Sequence, residues 1–254
     1  MRLLRSALFN FTMWASVLIY APLALLTAPL PYRARYRFIA QWPRFHLWTL
    51  KHLCRIDHVV EGAEHLPPGP AVVLANHQST WETLAFTRLF PPQTWVLKRE
   101  LAWIPLFGWA LALLKPIAIN RGAGRRAVDQ VVTQGRARLG EGIWVMVFPE
   151  GTRVAPGATR RWGIGGAVLA AETGYPVVPV AHNAGYFWRR RSFVKHPGTV
   201  RVAIGPAIET RGKTPEEINR AAQSWVETQM ARWSAEQRGA ESLARAQTGS
   251  ARTH

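Results

Sequence analysis

Residues 71–90 read AVVLANHQSTWETLAFTRLF, a stretch that contains the strand, loop and helix on which the fold depends. The apolar run 71–75 is typical of a buried strand, and 80–90 is typical of a helix that ends at Pro91. His77 therefore lies in a strand-to-helix loop, with Glu82 one helical turn further on. An imidazole in such a loop is a candidate general base, and a nearby carboxylate would fix its tautomer.

A simpler interpretation of the same residues is a helix cap. Ser79 would cap the helix, and Glu82, three residues later, would complete a capping box. On this interpretation Glu82 has no catalytic role. These twenty residues alone leave both interpretations open.

A second motif, Phe-Pro-Glu-Gly-Thr-Arg at 148–153, follows the apolar, strand-like stretch 143–147. Glu150, Gly151, Thr152 and Arg153 offer a carboxylate, a flexible backbone, a hydroxyl and a guanidinium. Such a loop can hold an anionic ligand with hydroxyl groups, because an arginine fork matches the oxygens of a phosphate. The alternative is an ordinary tight turn with an exposed arginine.

Together the two motifs resemble those of the lysophosphatidic acid acyltransferase family. These glycerolipid acyltransferases carry an N-H-x4-D block followed by an F-P-E-G-T-R block. The resemblance covers roughly residues 57 to 210 and includes K-R-E-L at 98–101, Pro105, F-G at 107–108, I-N-R at 119–121 and V-V-P-V-A at 177–181. It implies transfer of a fatty acyl group from acyl-CoA or acyl carrier protein to 1-acyl-glycerol-3-phosphate, which gives phosphatidic acid. Another lysolipid acceptor, such as a lyso-aminolipid, is an alternative.

The resemblance also implies roles for single residues. His77 would be the general base and Glu82 its carboxylate partner. Because the thioester is already activated, the reaction needs no covalent enzyme intermediate and no cofactor, and the spacing of the other histidines predicts no metal site. Residues 150–153 would position the glycerol phosphate. Three further residues complete the predicted site: Arg121 and Lys98, which would add positive charge, and Asn76, which would orient the loop.

Two positions depart from the family pattern. Glu82 stands where the family usually has aspartate, so its carboxylate is one methylene further from the backbone. Gly163 stands where many members have a lysine, and Arg160 and Arg161 are candidates to supply that charge.

The charge of the chain suits an enzyme of anionic lipids. The 254 residues include 32 Lys and Arg against 15 Asp and Glu, a formal net charge of +17, and such an excess implies an anionic surface or substrate. We find no zinc spacing, helix-turn-helix signal or RNP-type aromatic block that would indicate a nucleic-acid partner. The cluster Arg189-Arg190-Arg191 is the strongest feature that competes with a lipid partner. A non-catalytic, basic membrane-binding protein is the remaining alternative.

The N-terminal region predicts association with a membrane. Residues 7–30 contain no charged residue, and a helix of about 20 apolar residues can cross a bilayer. Prolines at 22, 29 and 31 leave open a kinked, half-inserted segment that continues as an amphipathic stretch over about 38–53. Tyr36, Trp42 and Trp48 would then lie at the membrane interface. A secretory signal peptide is the alternative, although the apolar stretch is long for one.

If the segment crosses the bilayer, basic residues decide its orientation. Arg33, Arg35 and Arg37 outnumber Arg2 and Arg5, which places the following domain on the cytoplasmic side of the cell membrane. The single cysteine, Cys54, excludes an intramolecular disulfide and is consistent with that compartment.

Strand-like and helix-like segments alternate from residue 57 onward, which predicts an α/β fold. We expect a mixed, largely parallel sheet flanked by helices, with the site in loops at one edge. The predicted units are an N-terminal membrane segment over 1–56, a catalytic domain over 57–233 and a disordered tail over 234–254. Thr214 and Pro215 predict the start of the last helix, which ends at about Trp233.

Two further features are candidates for the site. The apolar block between residues 103 and 114 would line a groove for the acyl chain, or form an ordinary core helix. Its members are Trp103, Ile104, Leu106, Phe107, Trp109, Leu111, Leu113 and Leu114. His182 follows a predicted strand and is a candidate to support the site.

Overall fold

A seven-stranded sheet forms the centre of the molecule. The computed structural model describes residues 1–250, and it describes side chains for all of these except Arg121 and residues 237–250. The strands are β1 (Ile56–Glu61), β2 (Val72–Ala75), β3 (Gln93–Lys98), β4 (Ile117–Ile119), β5 (Trp144–Val147), β6 (Val177–His182) and β7 (Gly198–Ile204). Their order is β1-β7-β6-β2-β5-β3-β4. All neighbouring pairs are parallel except β6 and β7, which confirms the predicted mixed, largely parallel sheet.

Helices cover both faces of this sheet. The α-helices are α1 (Arg2–Leu25), α2 (Tyr32–Ile39), α3 (Gln41–Thr49), α4 (Trp81–Leu89), α5 (Phe107–Ala112), α6 (Arg125–Gly140), α7 (Gly165–Thr173) and α8 (Pro215–Ser250). Buried residues of α1, α3 and α4 pack on the face that contains Val73 and Ala75. Those of α6, α7 and α8 pack on the face that contains Val72 and Leu74. Because both faces are covered, β2 is apolar at every position, as predicted for a buried parallel strand.

The first helix lies along the surface of the domain. The Ser6 hydroxyl accepts the backbone N–H of Lys195 at 2.9 Å, and the Ser16 hydroxyl lies 2.9 Å from Nε2 of His46. Phe9 is fully buried. The 24 residues of α1 are long and apolar enough to cross a membrane by length and composition, and Pro22 lies inside the helix rather than at its end.

Two aromatic residues predicted at a membrane interface make hydrogen bonds within the protein. The Tyr36 hydroxyl donates to the backbone oxygen of Thr87 at 3.0 Å, and that side chain is buried. The Trp42 indole donates to the Ser16 hydroxyl at 2.9 Å. Trp48 is exposed. The burial of Tyr36 and its bond to α4 argue against an interfacial position for that residue, whereas Trp42 is partly exposed and its place at the membrane interface stays a prediction.

The last helix begins as predicted but ends later. The Glu217 carboxylate accepts the Thr214 N–H at 2.8 Å, and the Thr214 hydroxyl accepts the Glu217 N–H at 3.3 Å. This reciprocal pair is a capping box. The helix continues past Trp233 to Ser250, so the predicted disordered tail includes helix over most of its length. Residues 251–254 of that predicted tail lie outside the described residues.

Candidate active site

The carboxyl ends of three neighbouring parallel strands bring the two motifs together. Leu74 of β2 pairs with Val147 of β5, and Ala75 pairs with Val180 of β6. Asn76 and His77 follow β2, while Phe148 follows β5. Loops after parallel strands emerge at the same edge of a sheet, where open α/β folds place their ligand sites.

The carboxylate of Glu82 bonds directly to the His77 ring. Oε1 of Glu82 lies 2.8 Å from Nδ1 of His77 and accepts the backbone N–H groups of Gln78 at 2.9 Å and Ser79 at 2.8 Å. The Ser79 hydroxyl accepts the N–H of Trp81 at 3.1 Å. Glu82 thus makes cap-type backbone bonds and also holds the imidazole, so the two interpretations of the sequence are compatible.

The surroundings of Glu82 favour its charged form. Burial of the fully enclosed side chain would raise the pKa of Glu82, but the imidazoles of His182 and His77 and the N–H of Ser79 outweigh burial and lower it. Since the carboxylate accepts at His77 Nδ1, that nitrogen carries a proton and Nε2 is free to accept one. The His77 side chain is 14% exposed, and its ring stacks on Phe148 with centroids 4.2 Å apart.

The loop of the second motif is tied to the His77 loop at two points. Oε2 of Glu150 accepts the backbone N–H of His77 at 2.8 Å, and the N–H of Val154 donates to the backbone oxygen of His77 at 2.7 Å. Burial raises the pKa of Glu150 to about 7. Gly151 has a φ of +68°, which suits glycine at this turn. The carboxylate predicted to bind substrate therefore makes a contact within the protein, which the sequence did not predict.

Arg153 and His77 line the same cavity, which has a volume of about 350 Å³. Nε of Arg153 is buried and makes no hydrogen bond with the described residues. Burial lowers the pKa of Arg153, although an arginine remains charged in proteins. Within the described part of the chain no carboxylate forms an ion pair with Arg153, and a desolvated guanidinium in that state is suited to bind an anion.

The rest of the cavity is mostly apolar. Residues of α1, the α2–α3 region, α4, β3 and α5 line it, among them Val17, Ala21, Trp42, Leu84, Trp95 and Leu111. The apolar block 103–114 divides between two environments. Phe107, Leu111 and Leu114 line the cavity, whereas Trp103, Ile104 and Trp109 are exposed on the surface.

The other predicted site residues lie in different places. Asn76 is buried and bonds to His182, with Nδ2 2.9 Å from its backbone oxygen. Lys98 ends β3 with an exposed ammonium 3.8 Å from Glu100, and it is not among the described residues that line the cavity. Thr152 lies in the loop after β5. Arg121 begins a 3-10 turn after β4, and its side chain lies outside the described part of the chain.

Comparisons with known proteins identify similar chains. The family model described as Acyltransferase matches residues 57–183. A 1-acyl-sn-glycerol-3-phosphate acyltransferase of Pseudomonas aeruginosa is 46% identical over 233 residues, which are 90% of this chain and 91% of that protein. The human 1-acyl-sn-glycerol-3-phosphate acyltransferase alpha is 32% identical over 69% of this chain and 63% of its own length.

A solved structure has the same fold. The crystal structure of the 1-acyl-sn-glycerophosphate (LPA) acyltransferase PlsC from Thermotoga maritima covers 92% of this chain and 96% of its own, with a TM-score of 0.77 and 23% identity. The fold of this chain is thus also found in an experimental structure.

Proposed function

The chain belongs to the acyltransferase family, and we propose that it transfers a fatty acyl group to the sn-2 hydroxyl of 1-acyl-glycerol-3-phosphate to give phosphatidic acid. The acyl donor is acyl-CoA or acyl carrier protein. The observation that carries this proposal is that the His77 ring and the Arg153 side chain line one cavity. A single lysolipid can therefore place its phosphate and its hydroxyl at the two groups.

The geometry supports a direct attack on the thioester. Nε2 of His77 takes the proton of the lysolipid hydroxyl as its oxygen attacks the thioester carbonyl carbon. The carbon–sulfur bond then breaks, and the thiol leaves with the proton that His77 holds. Glu82 stabilises the imidazolium that forms between these steps, as the acid member of a hydrolase triad does. The oxygen of the substrate takes the place of a serine nucleophile.

The apolar part of the cavity supports a site for an acyl chain. Apolar residues of α1, α4 and α5 surround it, and its volume lies within the usual range for ligand pockets, about 300–1,000 Å³. Because α1 contributes to the wall, a chain can pass between the cavity and a membrane that contacts this helix.

We also propose that α1 lies along the surface of the bilayer instead of crossing it. Its buried side is bonded to the domain from Ser6 to Ser16, and Ala21 and Ala24 are buried further along. The opposite side exposes Leu4, Phe11, Trp14 and Leu18. A helix with one face on protein and one apolar face outward suits an interfacial position. The catalytic domain would then lie on the cytoplasmic side of the cell membrane, where acyl donors are available.

The proposed reaction is tested with purified protein, lysophosphatidate and labelled acyl-CoA or acyl carrier protein. Formation of phosphatidate is expected, and His77→Ala should abolish it. Val59→Ala, at an exposed position of β1, is the control. Transfer only to a different lysolipid in an acceptor panel would change the assigned substrate. Lipid binding with no transfer to any acceptor, or an unimpaired His77→Ala variant, would refute the proposal.

A further inference from the structure

The peptide group directly before the proposed base is held at both of its polar atoms. Its carbonyl oxygen, which belongs to Asn76, lies 2.7 Å from Nε2 of His182. Its N–H, which belongs to His77, donates to Oε2 of Glu150 at 2.8 Å. The Asn76–His77 peptide is therefore held between β6 on one side and the loop after β5 on the other.

The hydrogen bonds of His182 define its protonation. A carbonyl oxygen only accepts, so Nε2 of His182 must carry the proton in the bond to Asn76. Nδ1 is then the acceptor, and the backbone N–H of Ala184 lies 3.4 Å from it. Burial lowers the pKa of His182, against the opposing effect of Glu82. The ring is thus fully buried and bonded through both nitrogens, so it does not itself exchange protons with a substrate.

The side chain of Asn76 strengthens the same connection. Its Nδ2 donates to the backbone oxygen of His182 at 2.9 Å, and its Oδ1 accepts the His182 N–H at 3.0 Å. With the ring-to-carbonyl bond, three hydrogen bonds join these two residues. Nε2 of His182 also lies 3.8 Å from Oε1 of Glu82. His182, at the end of β6, thereby holds Asn76, the residue before the proposed base. It also lies next to the Glu82 carboxylate, which bonds to the His77 ring.

We propose that His182 is a positioning residue, which together with Glu150 fixes the Asn76–His77 peptide so that the His77 ring reaches both Glu82 and the substrate hydroxyl. This inference rests on the proposed function. Rotation of that peptide would displace the ring from the 2.8 Å contact between Nδ1 and Oε1. A misplacement of about 1 Å can cost about 100-fold in rate.

Four variants test this inference through steady-state kinetics with lysophosphatidate. His182→Phe removes the donor and keeps a ring of similar size, His182→Gln keeps an N–H donor, and Glu150→Met removes the acceptor and keeps the length. The fourth combines His182→Phe with Glu150→Met. We expect His182→Phe to lower kcat about 10- to 100-fold, with KM for lysophosphatidate within about twofold of the wild type. His182→Gln should recover most of kcat.

The double variant separates positioning from general damage to the fold. Because both residues hold one peptide, its loss in kcat should be smaller than the product of the two single losses. His65→Phe is the matched control. It removes another bond from a histidine ring to a backbone oxygen, that of Ile204 at 2.8 Å, and should leave kcat unchanged.

These measurements distinguish a failure of the proposed function from a failure of the inference about His182. An inactive wild-type protein would argue against the proposed function. With an active wild type and an inactive His77→Ala, normal kcat in His182→Phe or independent losses in the double variant would overturn the inference alone. If His182→Phe does not fold, by circular dichroism and melting temperature, the glutamine variant decides. A folded His182→Gln with near-normal kcat supports the inference, and one with strongly reduced kcat contradicts it.

Discussion

The carboxylate of Glu82 reaches the histidine ring although its side chain is longer than the aspartate usual in the family. Its Oε1 lies 2.8 Å from the ring nitrogen Nδ1 and accepts two backbone N–H groups at 2.8–2.9 Å. One oxygen thus gathers three donors, and the whole side chain is enclosed.

Substitutions of Glu82 should separate its charge from its length. Glu82→Gln keeps the shape and removes the charge that stabilises the imidazolium, so kcat should fall about 10³-fold or more. Glu82→Asp keeps the charge but shortens the reach, and we expect a loss in kcat of about tenfold. Steady-state kinetics of acyl transfer measures both. Glu216→Gln, at an exposed residue of α8, is the control. A normal kcat in Glu82→Gln would show that Glu82 acts only as a helix cap.

Arg153 should contribute to binding more than to turnover. Its buried Nε has no hydrogen-bond partner among the described residues, so the phosphate would supply one. Arg153→Lys retains a positive charge but loses the two-pronged contact. A lost charge-assisted hydrogen bond is worth about 1.5–3 kcal/mol, so KM for lysophosphatidate should rise about 10- to 100-fold. Arg126→Lys, at an exposed position of α6, is the control and should behave as the wild type. An unchanged KM with a lower kcat in Arg153→Lys would contradict a binding role for Arg153.

At the scale of helices and strands, the sequence predicts strands from their apolar runs. Apolar runs reveal β2, β5 and β6 because both of their faces are covered. The edge strand β1 was not predicted, since its Asp57, His58 and Glu61 interrupt the apolar pattern and it pairs only with β7. The end of α8 was misplaced because the residues after Trp233 lack the apolar period that predicts a helix.

The sequence predicted the candidate site only in part. Spacing and the order of the motifs indicate that His77 and Arg153 lie at one edge of the sheet, and the shared cavity agrees with that prediction. Glu150 and His182 act through bonds to the backbone of residues 73 and 106 positions away. Periodicity carries no information about such contacts, so the sequence indicates both residues as candidates for the site but not the backbone atoms to which they bond.

The loop after β5 should make the stability of the protein depend on pH. The pKa of Glu150 is raised by burial from 4.5 to about 7, so between these values the folded chain binds a proton that the unfolded chain releases. The free energy of unfolding should therefore decrease as pH rises from 4.5 to 7, by at most about 3 kcal/mol for the whole shift.

Replacing Glu150 with an uncharged side chain should remove this dependence. Glu150→Gln should match the wild type near pH 4.5 and be more stable than the wild type at pH 8, in denaturant unfolding at each pH. Glu216→Gln serves as the control for the loss of a carboxylate from the surface. A difference between Glu150→Gln and the wild type that stays constant from pH 4.5 to 8 would contradict the assigned shift.

At the scale of the whole molecule, the apolar helix α1 and His77 contribute to one cavity. α1 exposes one apolar side, and from its other side Val17, Ala21 and Ala24 line the cavity that also contains His77. The helix proposed to contact lipid thus also forms part of the wall of the cavity. This arrangement suits a substrate whose headgroup is polar and whose chains remain in a bilayer.

The exposed side of α1 should govern membrane binding without governing chemistry. Leu4, Phe11 and Leu18 are 70%, 71% and 66% exposed, and burial of one such side chain in an apolar medium contributes about 1.5–3 kcal/mol. Changing all three to glutamine should weaken co-sedimentation with anionic phospholipid vesicles by more than about 100-fold, and leave kcat on detergent-dispersed lysophosphatidate close to normal. Val59→Gln, which changes an exposed apolar residue of β1, controls for the effect of a new polar side chain elsewhere on the surface. Vesicle binding as strong as that of the wild type would show that α1 does not lie on the bilayer through this face.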